Sequence, residues 1–432
     1  MTRSRSIRIS AGVFALALFV AACGDDDDDD ADSAATTAAG PATTAAPATT
    51  AAETPATTAA DTPATTAADT PATTEATSEA TSDTTAPASG SAVDLSADCP
   101  NPLVIQTDWF AESEHGGLYE MLGDDYTVTA DNMRVKGSLV AGGEETGIDL
   151  EIRMGGPAIG FEAPRAQIYT DDSINIAYSN IDAQMLAWED TPLVALMAPL
   201  EINPQIIMWD KETYPDVQTI ADLGEENVTI NIFPGYGFAD VFVAQGIWSQ
   251  DQVDPSYDGS PARFIQSRDI AQQGFASAEP YNYEFVFEEY GKAPGYQLLH
   301  DAGYPTYSQT LSVLPEDVEG LAACWEKFIP IAQQAAVDFV SNPDRANAII
   351  IDAVEQVGSF WVYDEGLAEY SVQTQRELGL VGNGPDDTLG NFDPARVEEM
   401  LGILRDAGAD VPSDLTPEEM YTNEFIDPSI GL

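Results

Sequence analysis

The chain has 432 residues, with 16 Lys and Arg against 73 Asp and Glu, a formal net charge of −57. Nucleic-acid binding needs cations to displace phosphate counterions, and attraction to an anionic membrane surface needs them too, so this balance excludes both. Apolar residues make up 44%, enough for a large core, and the length alone predicts two or three domains. The acidity is not a tail effect: residues 95–432 carry 59 acidic and 13 basic side chains, a net charge of −46. A folded surface this acidic fits a cation-rich exterior or strong selection for solubility.

Arg3, Arg5 and Arg8 open the chain, and an apolar run from Ile9 to Ala22 follows. A charged start, a short apolar centre and small residues before a cleavage point predict a secretory signal over residues 1–22. Cys23 directly follows Ala21-Ala22. That arrangement resembles a bacterial lipobox, which implies cleavage before Cys23 and lipidation of its thiol; an ordinary secretory signal with an incidental cysteine is the alternative. Acyl chains would anchor the protein to the outer face of the cytoplasmic membrane by burying methylenes, each contributing about 0.8 kcal/mol. Residues 23–98 read as a disordered tether. Asp25–Asp30 is an unbroken acidic run, and the block Thr-Pro-Ala-Thr-Thr-Ala-Ala-Asp recurs with small variations from Thr54, Thr62 and Thr70. Nothing in it can form a core. A flexible chain of roughly 65 residues spans about 45 Å. Cys99 and Cys324 remain. In an exported protein they are a disulfide candidate, with isolated buried thiols as the alternative.

From residue 99 the pattern alternates between strand and helix. PLVIQT (102–107) suits a buried strand, and Asp108-Trp109-Phe110 and a helix start at Glu112-Ser113-Glu114 follow it. Further strands are predicted at IDLEIRM (148–154), SINIAYS (173–179), LVALMA (193–198), 206–209 and VTINIF (228–233). Residues 124–147 read as an inserted hairpin. From Pro315 the signals are helical, over 320–339, 345–357, 365–379 and 394–407. The alternation predicts an α/β fold with mainly parallel sheets. Neither GxGxxG nor GxxxxGK[ST] occurs, so no nucleotide site is indicated and no cofactor is expected. Two well-separated histidines without a cysteine cluster predict no metal site.

Parallel sheets take ligands at the carboxyl ends of their strands. The residues placed there are Trp109, Gly155-Gly156, Tyr178, Tyr236 with Phe238, and Tyr281 with Tyr283. Aromatic rings offer a flat apolar face with a polar edge, and glycines let backbone N–H groups approach a ligand. The set suits binding a flat polar heterocycle better than breaking bonds.

Asp108-Trp109-Phe110-Ala111-Glu112-Ser113-Glu114-His115-Gly116-Gly117-Leu118-Tyr119 resembles the opening signature of the thiamine-precursor-type (NMT1/THI5-like) solute-binding proteins of ABC importers. Three further stretches agree in order: Ile220-Ala221-Asp222-Leu223 before the strand at 228–233, Pro234-Gly235-Tyr236-Gly237, and Tyr281-Asn282-Tyr283-Glu284. The likeness covers roughly residues 102–315. It implies a type II periplasmic-binding-protein fold, with two lobes, a ligand cleft and two hinge crossovers. Lobe one is then expected over 99–198 and 285–432, and lobe two over 199–284. The resemblance also implies a monomeric binding protein that captures a small solute and delivers it to an ABC permease.

The family binds thiamine pyrimidine precursors and riboflavin-like compounds, and wider relatives bind sulfonate or nitrate. The negative field of this chain favours a neutral or weakly cationic heterocycle. Trp109 and Tyr236 would stack on it, and Asn282 or Glu284 would hydrogen-bond it. His115, Tyr119, Tyr178, Phe238 and Tyr281 complete the expected set. Plainer roles are open to each: core packing for Trp109 and Tyr119, helix capping for His115, fixing the crossover for Asn282 and Glu284. Some eukaryotic relatives are enzymes that use a lysine, a consumed histidine and a cysteine-rich motif. Here the lysines are Lys136, Lys211, Lys292 and Lys327, none precedes His115, and Cys324 is the one cysteine inside the main body. No enzyme activity is expected. A surface adhesion or structural lipoprotein is the remaining class.

Overall fold

The computed structural model describes residues 93–432. The signal segment 1–22, Cys23 and the tether as far as residue 92 lie outside the described residues. The folded part begins before the expected residue 99. Leu95 is fully buried, and its backbone N–H donates to Thr146 O at 2.9 Å. An aliphatic side chain beside a growing sheet is worth about 1.5–3 kcal/mol when buried, which draws these residues into the core.

The first sheet has seven strands. They are β1 (Leu103–Gln106), β2 (Thr127–Thr129), β3 (Arg134–Ala141), β4 (Glu144–Arg153), β5 (Ile176–Ser179), β6 (Val194–Met197) and, much later in the chain, β12 (Thr310–Val313). Their order is β2-β3-β4-β1-β5-β12-β6. β4, β1 and β5 run parallel, with Ile105 opposite Ile152 and Ile176. Every residue of β1 and β5 is buried, as strands covered on both faces must be. Gly142 and Gly143, at φ +58° and +84°, turn β3 back into β4, a left-handed geometry that suits glycine. The hairpin expected over 124–147 is instead β3 and β4, Arg134–Arg153, with β2 added antiparallel to β3, so the strand expected at 148–154 is the end of its second arm.

The second sheet has five strands: β7 (Gln205–Trp209), β8 (Thr229–Asn231), β9 (Val253–Asp254), β10 (Ile270–Phe275) and β11 (Gly295–Leu298), in the order β11-β7-β10-β8-β9. Both sheets are mixed, where mainly parallel sheets were expected. β12 is antiparallel to β5 and β6, and β7 is antiparallel to β10 and β11. Antiparallel pairing thus involves β6, β7, β11 and β12, the strands that flank the crossovers, and at the far edge of the first sheet the β2-β3-β4 hairpins. β11 also moves a boundary: it pairs with β7, so the second sheet runs to Leu298 and not to 284.

Two crossovers join the sheets, residues 198–204 between β6 and β7 and residues 299–309 between β11 and β12. The architecture is the two-lobed α/β arrangement of the type II periplasmic-binding-protein fold. Helix Ala322–Ser341 buries Trp325, Phe328 and Ile329 in the core of the first lobe together with β1, β4 and β5. Cys324 on that helix is disulfide-bonded to Cys99. Helix Pro394–Asp406 starts at Asp393, whose carboxylate caps Ala395 N at 2.9 Å. Its Val397, Leu401 and Leu404 share one core with Ile181 and Met185 of the first lobe and Phe238 and Phe242 of the second. Its Arg396 reaches both crossovers, donating to Glu201 O at 2.6 Å in one and to Pro305 O at 2.7 Å in the other. Among the described residues no helix is long and apolar enough to cross a membrane.

Candidate ligand cleft

A cavity of about 380 Å³ opens between the lobes. Its walls are the segments that follow β1, β4 and β5 in one sheet and β8 and β10 in the other. Parallel strands end with their N–H and C=O dipoles unpaired and their connecting loops free to diverge, which is why a crevice forms there.

The first wall is built at the end of β1. Thr107 Oγ1 donates to Trp109 O and to Arg153 O, each at 3.1 Å. Gly155 N donates to Trp109 O at 2.8 Å, and Gly156 N to Asp108 O at 2.9 Å. These bonds fix the loop carrying Asp108 and Trp109. They also consume the Gly155-Gly156 N–H groups, which were expected to face a ligand. The glycines are needed for a different reason. A Cβ on Gly155 would lie 2.3 Å from Thr107 O, so the two loops touch backbone to backbone.

Trp109 projects into the cavity and meets Phe161 at 6.1 Å, Phe233 at 5.8 Å and Trp361 at 6.2 Å between ring centroids. Phe161 belongs to the first lobe and Phe233 to the second, so this aromatic group spans the cleft. Tyr257 packs against Phe233 at 4.6 Å. Tyr178 on β5 and Tyr236 after β8 line the same cavity.

Behind Trp109 lies a group of acids. Asp108 Oδ1 is 2.9 Å from His115 Nε2, and the Gln309 amide donates to both Asp108 oxygens, at 3.1 and 3.3 Å. Glu112 Oε1 is 3.5 Å from His115 Nε2. Burial, then the neighbouring Glu114, Asp108 and Glu279, raise the Glu112 carboxyl well above the usual carboxylate range. Burial likewise raises Glu114, although a Ser277 hydroxyl bonded to it opposes the shift. Glu279, reached from the second lobe, is pushed up to about 7 by burial, while its bond from Phe275 N at 2.6 Å opposes this. Asp108, Glu112 and His115 offer ligand atoms within 4.8 Å of one another. The sequence expectation of no metal site weighed histidines and cysteines alone; Asp108, Glu112 and His115 come together around the 3₁₀ turn Ser113–His115.

The predicted residues separate into two sets. Trp109, Tyr178 and Tyr236 line the cleft. His115 is fully buried one step behind it, with its ring edge-on to Tyr178 at 5.2 Å. Tyr119 and Phe238 are core residues with no exposure, in the first lobe and the shared core respectively. Tyr281, Asn282 and Glu284 lie outside the cavity. Tyr281 packs against Tyr370 and Phe285, Asn282 lines a separate small cavity, and Glu284 is exposed. The cause is one turn of helix at Glu279–Tyr281. It aims Glu279 at the cleft and carries the next residues away from it. Sequence reading missed Glu112, Phe161, Phe233, Tyr257, Gly259, Glu279 and Trp361. Phe233 had a usable signal, since it ends the run VTINIF. Glu279 opens a single helical turn and the others lie on irregular segments, too short or irregular for any periodicity to mark them.

No family model matches the chain, and no curated protein does. Solved structures similar to it include a protein of Bordetella bronchiseptica RB50, 12% identical over 76% of this chain and 96% of that one, with a TM-score of 0.49. A ligand-binding component of an ABC-type import system from Staphylococcus aureus with zinc bound is 12% identical over 75% and 97%, at 0.47. The periplasmic aliphatic sulphonate binding protein of Escherichia coli is 13% identical over 74% and 92%, at 0.45.

Proposed function

We propose that this chain is an extracytoplasmic binding protein that traps one small solute between its lobes and presents it to an ABC permease. The observation that carries this reading is the cavity of about 380 Å³ walled by strand ends of both sheets. Its size matches a small heterocycle, and sites of this kind are mostly apolar with a few fixed polar groups. Contacts made by both lobes to one molecule favour the closed arrangement, so binding and closure are one equilibrium. The lipobox-like Cys23 supports an anchor at the outer face of the cytoplasmic membrane. In this reading the protein works as a monomer and catalyses nothing. A flat heterocycle of the thiamine-pyrimidine type fits the aromatic walls, and that choice rests on the resemblance in residues 102–315. Sulfonate and nitrate fit the acidic wall poorly.

The test is mass spectrometry of small molecules released by denaturing the full-length purified chain, paired with its thermal midpoint against a solute panel. One solute near 1:1 stoichiometry, which raises the midpoint when added back, is the expected result. A chain that releases nothing and responds to no pyrimidine, flavin or sulfonate is an adhesion or structural lipoprotein instead.

A further inference from the structure

We infer that the cleft selects a solute bearing a positive charge, a protonated amine or a quaternary heteroaromatic nitrogen, and that Asp108, Glu112 and Glu279 set this preference. The inference rests on the solute-capture reading above.

Five carboxylates line the cavity: Asp108, Glu112, Glu162, Asp182 and Glu279. Among the described residues lining it, Arg165 is the one cation, and it sits in the field of Asp182. Asp182 is itself structural, accepting from Tyr304 Oη and Thr306 Oγ1 at 2.7 Å each.

Glu112 is the telling residue. It is 6% exposed, and it faces the cavity. Its carboxyl takes part in a side-chain hydrogen bond with Gln309, which opposes the upward push of burial without overcoming it. His115 Nε2, at 3.5 Å, lies closer to Asp108, at 2.9 Å, and the Gln309 amide also donates to Asp108, so Glu112 holds neither partner alone. A carboxylate this buried is costly unless a partner arrives. Asp108 and Glu112 come from the first lobe and Glu279 from the second, so a cation among them draws the lobes together. An anion would drive them apart.

The aromatic groups point the same way. Trp109, Phe233, Tyr236 and Tyr257 line the same cavity. Ring faces are negative, and a cation held over them in a desolvated site is attracted by the quadrupole. Carboxylates and ring faces together form one receptor for a flat or compact organic cation.

Four pyridines of one shape test this on the full-length chain at pH 8 by calorimetry: 1-methylnicotinamide as the cation, nicotinamide as the neutral form, nicotinate as the anion, and trigonelline carrying both charges. The cation is expected to bind at least about tenfold tighter than nicotinamide, with nicotinate weakest. Glu112→Gln and Glu279→Gln should each remove most of the cation's advantage over nicotinamide, and far-ultraviolet circular dichroism with the urea midpoint reports that each variant is folded. Tightest binding of nicotinate or trigonelline overturns the inference and moves recognition to Arg165, while solute capture stands. Should none of the four bind, the charge of the solute released from the purified chain decides: a cation upholds the inference, and a neutral or anionic solute overturns it. A chain that binds none and releases nothing loses the capture reading and this inference together.

Discussion

The Trp109 indole is held between two glycines, one from each side of the cleft. A Cβ on Gly156 would lie 2.7 Å from Trp109 Cε3, and one on Gly259 would lie 2.9 Å from Trp109 Cη2. Gly259, at φ +87°, also has a backbone conformation that other residues adopt only with strain. Gly259→Ala should therefore wedge the lobes apart. Solute affinity is expected to fall by at least about tenfold, because the binding-competent closed population shrinks. The unfolding free energy should change by about 1–3 kcal/mol at most. Calorimetry and urea denaturation separate the two effects. Trp109, Tyr178 and Tyr236 were legible in the sequence because each stands at or just beyond the end of an apolar run. Glu112 and Glu279 were not. They are two acids among 73, and only tertiary burial distinguishes them. The roles of Tyr119 and Phe238 were misread because an aromatic beside a ligand motif and an aromatic in the core have the same local pattern.

The elements were recovered unevenly, and composition explains why. The four long C-terminal helices carry apolar residues at helical spacing and lie within a few residues of their expected limits. β10 and β12 escaped notice because polar residues interrupt them. In β10, Gln272 and Gln273 are buried, and their side chains bond Tyr283 Oη at 3.1 Å and Phe233 N at 3.0 Å. In β12, Thr310 and Ser312 are buried against the Gln184 amide. A strand whose buried polar side chains find partners inside the fold can be stable while carrying no alternating signature. The Cys99–Cys324 bridge acts at this scale, because it ties the segment entering β1 to helix Ala322–Ser341 across 225 residues. Replacing both cysteines by serine should lower the unfolding free energy by about 3–5 kcal/mol, because the unfolded chain regains the freedom of a very long loop. Urea denaturation of the double variant measures this, and a loss under about 1 kcal/mol would show that residual structure in the unfolded chain already holds the two ends together.

For the molecule as a whole, charge sets the response to pH. Glu279 and Glu201 are both raised to about 7 and Glu112 and Glu114 are raised as well, burial being the first cause in each case. A carboxyl whose folded value lies above its unfolded value favours folding when protonated. Its contribution is complete below about 4.5 and is lost as pH rises through about 7. The carboxylates held low act in the opposite sense, but only in strong acid; Asp210, paired with Lys292 at 2.8 Å, is held at about 2. The solute-free protein should thus melt at a higher temperature at pH 5.5 than at pH 8, and Glu279→Gln should flatten that slope. A midpoint that falls over this interval in the wild type would contradict the burial of these acids. Glu201 stands at the crossovers, and so does the guanidinium that it accepts from. Arg396 donates to Glu201 O and Oε1 in the first crossover, to Pro305 O and Thr306 O in the second, and lies 3.7 Å over the Tyr307 ring. Both straps of the hinge are thus riveted to one side chain on one helix. Neither strap can shift without straining the bonds that hold the other.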